Sequence, residues 1–572
     1  MPQDLQATIP NEYSLSQNIN SNTGFRQALT TYGDAHFSLF LRKVFIKALG
    51  YTDDALSRPI IGIINTNSGF NPCHGNASQL IEAAKRGIML SGGIAIDFPT
   101  ISLHEGFSHP TSMFLRNLMS MDTEEMIRAQ PVDACIMIGG CDKTVPAQIM
   151  GGISANKPIL PLLTGPMMPG SHGGRRIGAC TDCRNNWASY RAGKIDMEEI
   201  MAINEELAPT IGTCGVMGTA STMACITAAL GLIPLQGASA PAVSASRLRV
   251  AEQTGILAVA AAKEQRVPQD ILSLESFYNA AIVLQAIGGS TNAMVHLMAI
   301  INRHPNLKGV TLKTLDDIGL KTPLLVDLKP SGDNYMTDFH NAGGMLCLLH
   351  QLRPLLYLSA RTISGETLGE VLDRSPFRYF ECSRTIIRPL SEPLYPYSSL
   401  AVVYGNIAPN GAVIKVLPQK TSVYFVIPGI GPIGNPGMPE AGMIPIPRKL
   451  AEQGVTDMLR MSDGRMSGTA GGTIILHISP ESAIPDSPFG VVQTGDFIMC
   501  DVEARKLELC INEEEFRTRI SARQQILSTG TGDEPSQWVQ RHTRRGYRGL
   551  YERTVNQAHE GADFSFLTAT GN

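Results

Sequence analysis

Gly139-Gly140-Cys141-Asp142-Lys143 sets a thiol, a carboxylate and an amine side by side directly after an apolar run. Thiolate is a soft ligand suited to iron–sulfur chemistry, whereas carboxylate is a hard oxygen ligand suited to Mg²⁺. Side by side they point to two unlike metal centres sharing one wall. The bland alternative is a polar turn with an incidental cysteine. Two more glycine-flanked thiols stand in Asn71-Pro72-Cys73-His74-Gly75-Asn76 and Thr213-Cys214-Gly215-Val216-Met217-Gly218. Either one alone is more often a small buried hydrophobe than a ligand. Cys180 and Cys183 form a CxxC, weak as a zinc site because no second pair follows at ribbon spacing. Spacing by itself does not rank Cys73, Cys141 and Cys214 above Cys180 and Cys183. Cys135, Cys225, Cys347, Cys382, Cys500 and Cys510 read as packing residues. His74 and His104 flank candidate ligands, and either orients a substrate or satisfies a local hydrogen bond. Gly288 to Asn292 opens a helical pattern, where Ser, Thr or Asn would cap amides or equally hold a substrate carboxylate.

The elements that must position these residues alternate in type. Ile60 to Asn65, Ala134 to Gly139 and Ile159 to Thr164 are short, apolar and β-rich; Gln79 to Ser91, Ser112 to Met121 and Val145 to Ile153 carry helical periodicity. Strands alternating with helices predict a mostly parallel sheet covered on both faces, with ligand groups gathered at the C-terminal strand ends. After about Pro376 the character changes. Gly and Pro punctuate short β-like runs at Leu400 to Tyr404, Ala412 to Val416, Ser422 to Ile427 and Gly472 to His477. The fold class is therefore α/β: an N-terminal α/β domain over 1–378 and a β-rich, β-barrel-like C-terminal domain over 379–572. Pro428 to Met443 is too rich in Gly and Pro for anything but a loop, and Glu513 to Gln557 is charged and partly helical.

Composition excludes several classes. At 572 residues the chain exceeds what one core supports; with 43% hydrophobic and 17% charged residues it reads as an ordinary globular protein. A net charge of −4, with no basic run, gives no reason to expect nucleic acid or an acidic membrane. The start of the chain lacks the cationic and apolar regions of a secretory signal. No uncharged apolar run reaches the roughly 18–20 residues of a membrane span. A cytoplasmic location is the expectation. An odd count of 11 cysteines in a chain of this length argues against a disulfide scaffold.

Asn71–Asn76, Gly139–Lys143 and Gly212–Met217, followed by Gly288-Gly289-Ser290-Thr291-Asn292 and Ser462-Asp463-Gly464-Arg465-Met466-Ser467-Gly468, resemble in order the motifs of the dihydroxy-acid/sugar-acid dehydratase family. The resemblance covers nearly the whole chain. It implies a [2Fe–2S] cluster on Cys73, Cys141 and Cys214, and a Mg²⁺ site from Glu105, Asp142, Glu440 and a carbamylated Lys143. It puts Ser467 at the family's catalytic base with Thr469 beside it, and it implies a homodimer or homotetramer. Three thiolates where a cluster ordinarily takes four leave one iron open as a Lewis acid for a departing hydroxyl. Mg²⁺ prefers oxygen ligands, and a carbamate converts the lysine from a repelling cation into an anionic oxygen donor. Ser467 would remove the C2 proton of a polyhydroxy acid, giving an enol and then a 2-keto-3-deoxy acid.

Two positions depart from the family pattern. His-Gly-Asn follows Cys73 where many members have Asn and then His. Met466 stands where branched-chain biosynthetic members more often carry Phe. With the ending Gly561 to Leu567, Met466 leans the resemblance toward the sugar-acid branch. The leading expectation is an aldonic-acid dehydratase; the alternatives are a dihydroxy-acid dehydratase of branched-chain amino-acid biosynthesis and a non-catalytic binding protein of the same fold.

Overall fold

The computed structural model describes residues 23–569 apart from 28, 30–32, 308, 376, 416–423, 456 and 530–535. Strands β1 (Ile60–Asn65), β2 (Ile94–Pro99), β3 (Ala134–Gly139) and β4 (Ile159–Leu163) form a parallel sheet in the order β2-β1-β3-β4. β3 and β4 are buried along their whole length. Their unbroken apolar runs follow from cover on both faces. Successive side chains point to opposite faces: Ile61, Ile63, Ile136 and Ile138 enter one core. Ile60, Ile64, Cys135 and Met137 enter another. The helices Ala77–Leu90 and Ala245–Glu264 pack together on the first side, and Ser112–Ala129 packs on Thr144–Ala155. A short hairpin of β5 (Gly170–His172) and β6 (Arg175–Ile177) follows β4.

The second sheet is mixed and has seven strands. They are β7 (Leu400–Gly405), β8 (Ala408–Lys415), β9 (Tyr424–Ile427), β10 (Leu459–Ser462), β11 (Ile474–Leu476), β12 (Ile498–Asp501) and β13 (Lys506–Leu509), in the order β12-β13-β7-β8-β11-β10-β9. Val416 and Ser422, the ends of two expected strands, lie outside the described residues. Val403, Ile414, Met461, Ile475 and Leu507 build this sheet's own core. Leu400, Val402 and Val413 point the other way and join the large core of the parallel sheet, so apolar packing runs across the expected boundary at 378/379.

The last helix, Gly546–Thr554, returns to the first region. Tyr551, Val555 and Phe564 pack on Met113, Phe114, Val295 and Met438. Arg303 and Asp563 form an ion pair of 2.5 Å with both side chains fully buried. Charged groups withdrawn from water require such pairing, so the segment around Asp563 is fixed against the helix that runs from Thr291 to Arg303.

Candidate active site

Cys73, Cys141 and Cys214 all lie beyond the C-terminal ends of parallel strands. Cys73 sits on the single turn Pro72–His74 after β1. Cys141 follows β3 directly, and the helix Thr144–Ala155 begins just after Lys143. Cys214 is brought to the same end because Thr213 bridges to Pro166 in parallel fashion, extending the line of β4. Gly212 N–H also donates to Pro72 O at 3.1 Å, tying the Cys214 loop to the turn that bears Cys73. A Cβ on Gly140 would stand 1.8 Å from Thr164 Oγ1, so only glycine lets the β3 end approach β4 this closely.

His74 is the strut of this wall. It is fully buried, and its Nε2 accepts the N–H groups of Gly140 at 2.9 Å and Cys141 at 3.0 Å. Accepting there leaves the proton on Nδ1, which faces Thr66 O at 3.0 Å. Burial pushes its pKa down to about 4, so the ring is neutral and suited to that role. Of the two sequence readings of His74, the local hydrogen bond is the one observed. His104 behaves differently. Its interaction with the Cys73 thiol raises its pKa against the opposing effect of partial burial. Cys73 and Cys141 interact in turn: the contact holds Cys73 down at about 6 and pushes Cys141 well up.

The Cys180 Sγ lies 3.2 Å from Cys214 Sγ, which spacing alone did not foretell. Cys183 instead packs beside Ile177, Ile203 and Leu207. Cys135, Cys225 and Cys347 are buried as expected, whereas Cys382 and Cys510 are exposed and do not serve packing.

The carboxylates gather around one amine. Lys143 Nζ is fully buried, 2.5 Å from Asp142, 3.6 Å from Glu105 and 3.6 Å from Glu440. One oxygen from each acid lies within 4.8 Å of the others, spacing that suits a shared cation. Burial lowers the Lys143 pKa and Arg465 adds to that, but the three acids outweigh both and raise it. For Glu105, burial pushes up while Lys143 and Arg465 pull down, leaving it at about 2. Glu440 ends above its ordinary value because its burial is the larger influence. Cys141 Sγ stands 3.5 Å from Asp142 Oδ1, so thiols and acids adjoin.

The third part of the site comes from the second sheet. Asp463, at the end of β10, accepts N–H groups from Gly429, Ile430 and Ser482. That clamps the Pro428–Met443 stretch, a loop as expected, against the Asp463–Thr469 turn. Arg465 then crosses between the two, donating to Met438 O at 2.7 Å, Glu440 at 3.1 Å and Thr111 Oγ1 at 3.2 Å. Asn292 Nδ2 donates to Met466 O at 3.0 Å and reaches Glu440 at 3.5 Å. Asn292 and Arg465 thus tie the turn that bears Ser467 to Glu440, and Ser467 Oγ lies 2.9 Å from Thr469 Oγ1. Ser290 caps its helix by accepting from Asn292 N–H at 3.2 Å, the capping role anticipated for Gly288–Asn292. A cleft of about 390 Å³ opens beside Thr469, edged by Thr181, Arg184, Trp187 and Met443.

Comparison with known proteins bears on the same residues. Residues 58–371 match the family model described as dihydroxy-acid/6-phosphogluconate dehydratase N-terminal, and residues 419–562 match its C-terminal counterpart. The chain belongs to this dehydratase family. It is accordingly a hydro-lyase. L-arabonate dehydratase of Azospirillum brasilense is 38% identical over 93% of this chain and 95% of its own length. The 6-deoxy-6-sulfo-D-gluconate dehydratase of Pseudomonas putida is 34% identical over 90% and 92%. A dihydroxy-acid dehydratase of Pyrococcus abyssi is 34% identical over 91% and 97%. Among the described residues no helix is long and apolar enough to cross a membrane.

Arg465, Asn292 and Asp463 hold the Ser467 turn and the carboxylates in place, roles that the sequence did not assign. All three stand inside motifs that carry the family resemblance, which was the available signal. The donor set fits the groups that the family resemblance implies: soft thiols lie on one side of Cys141–Asp142 and oxygen donors around Lys143 on the other.

Proposed function

We propose that this dehydratase removes water from an aldonic (sugar) acid to give a 2-keto-3-deoxy acid. The supporting observation is the single wall on which Cys141, Asp142 and Lys143 join the thiols to Glu105 and Glu440, with the turn that bears Ser467 tied to Glu440. Cys73, Cys141 and Cys214 would hold a [2Fe–2S] cluster, while Glu105, Asp142, Glu440 and a carbamylated Lys143 would hold Mg²⁺. When bound, these groups supply Lewis acidity for the departing hydroxyl and for the substrate carboxylate and 2-hydroxyl.

The chain's own residues do the rest. Ser467 Oγ takes the C2 proton, and Thr469 Oγ1 at 2.9 Å donates to the serine oxygen once it is anionic. Arg465 holds Glu105 and Glu440 in place through ion pairs of 3.8 and 3.1 Å. Asn292 and the Asp463 clamp keep the Ser467 turn at a fixed distance from the acids, the positioning that a proton transfer requires.

The identity to L-arabonate and sulfogluconate dehydratases supports the sugar-acid reading. The identity to dihydroxy-acid dehydratases keeps the branched-chain substrate as the second reading. Semicarbazide detection of 2-keto acid from C5 and C6 aldonates and from 2,3-dihydroxyisovalerate separates them. Turnover of at least one aldonate is expected; turnover of the dihydroxy acid alone would overturn the assignment. A cytoplasmic, even-numbered homo-oligomer completes the proposal. Self-association draws support from Phe40 and Phe45, exposed on the helix Ala35–Ala48.

A further inference from the structure

Four thiols, not three, stand on segments tied together at the strand ends. Cys180 and Cys214 face each other at 3.2 Å between sulfurs, while Cys73 and Cys141 are tied together through His74, the neighbour of Cys73, whose Nε2 accepts the Cys141 N–H at 3.0 Å. A two-iron cluster held by four cysteines needs this grouping, because each iron takes two thiolates at neighbouring corners of a tetrahedron.

Cys180 is also held by a built support. The next residue, Thr181, donates to Thr469 O at 2.8 Å, so the thiol adjoins the Ser467 turn. Asp182 is fixed by Lys329 at 2.7 Å and by Tyr335 at 2.8 Å, and it accepts Gly178 N–H at 2.8 Å. Ala179 N–H is anchored on Leu207 O at 2.9 Å. Cys180 occupies the N-cap of the helix Thr181–Arg191, yet its side chain makes no capping bond. The thiol is therefore aimed at Cys214 by its neighbours and is not consumed by its own helix.

We infer that Cys180 is a fourth, displaceable ligand of the cluster, sharing with Cys214 the iron that receives the substrate hydroxyl. The inference rests on the iron–sulfur reading given above. Ligation forms one Fe–S bond and passes the thiol proton to solvent, with no change in oxidation state. Arrival of a substrate hydroxyl reverses it: the thiolate leaves and regains a proton. Such a ligand closes the reactive iron in the resting protein and yields it when the acid binds.

The test uses the full-length, anaerobically purified holoprotein and its Cys180→Ser and Cys183→Ser variants, compared by iron content and by electron paramagnetic resonance after dithionite reduction. A retained cluster with shifted g-values in Cys180→Ser, and an unshifted spectrum in Cys183→Ser, is expected. A folded Cys180→Ser chain that has lost its iron also supports the ligand role. An unshifted spectrum in Cys180→Ser overturns the inference. If Cys180→Ser does not fold, alkylation of the parent decides, read by mass spectrometry with and without iron. Protection of Cys180 only in the iron-loaded state supports the inference, and equal labelling in both states overturns it. A parent protein without iron would instead defeat the cluster reading itself.

Discussion

The thiols and the Asp142–Lys143 pair stand at the ends of strands buried on both faces, whereas Glu440 and Ser467 ride on stretches with no regular structure. Each region reaches rigidity by a different route. In the first, sheet hydrogen bonds and a continuous apolar core fix the backbone, and one neutral imidazole fixes the Gly140–Cys141 turn. In the second, buried polar side chains do that work: Asp463 gathers three N–H groups, Glu481 gathers those of Ile433 and Gly434, and Arg465 bridges the loops. A buried carboxyl group accepting several N–H donors can order a loop, and its hold then depends on its protonation.

The sharpest test of the second region is Ser467→Ala. It is expected to lower kcat by about 10²–10⁴-fold while leaving iron content and thermal stability unchanged. Full activity would remove Ser467 as the base. Next in size is Gly468→Ala. Its Cβ would stand 2.5 Å from Ser290 Oγ and 2.6 Å from Thr219 N, so the Ser467 turn must shift. Displacement on the ångström scale costs roughly 10²-fold in rate. Steady-state kinetics beside an unchanged circular dichroism spectrum would check it, and wild-type rates would mean that the turn is not held tightly.

In the first region, His74→Leu strands two buried N–H groups, each worth about 1–3 kcal/mol. A lowered midpoint of thermal unfolding and reduced iron per chain are expected; unchanged iron would show that Cys141 holds its place without the strut. The smallest effect concerns Glu481. Burial pushes its carboxyl from 4.5 up to about 7, and the Asp463 charge adds to that against the opposing N–H donors. The folded chain then binds this proton more tightly than the unfolded one. The resulting stabilisation is complete below pH 4.5 and is lost as pH rises toward 7. Relative to Glu481→Gln, the parent's stability should fall by on the order of 1–3 kcal/mol over that window. Denaturant titrations at several pH values measure it, and a flat difference would mean that burial does not raise the Glu481 pKa on folding.

Much of the first region was legible in the sequence. The runs Ile60–Asn65 and Ala134–Gly139 are strands with those same bounds, because strands covered on both faces keep an unbroken apolar run. The second sheet was less legible: β10, β12 and β13 were not anticipated, being only four residues each with mixed burial. The expected run Ala412–Val416 begins earlier, at Ala408, because Gly405 and Ala408 already pair across the tight turn between β7 and β8.

By itself, the sequence determined which residue types were available and the motif order that carries the family. It also determined the apolar periodicity that puts Cys141, Asp142 and Lys143 at a strand end. Only the tertiary structure decided which thiols meet. Cys180 and Cys183 are equivalent in sequence, yet on one helical turn their side chains leave in different directions. One faces Cys214 while the other packs on Ile203 and Leu207. The same holds for Glu105 and Glu440, more than three hundred residues apart. Their meeting around Lys143 depends on loops closed by Arg465 and Asp463, whose partners are set by long-range contacts that local spacing does not encode.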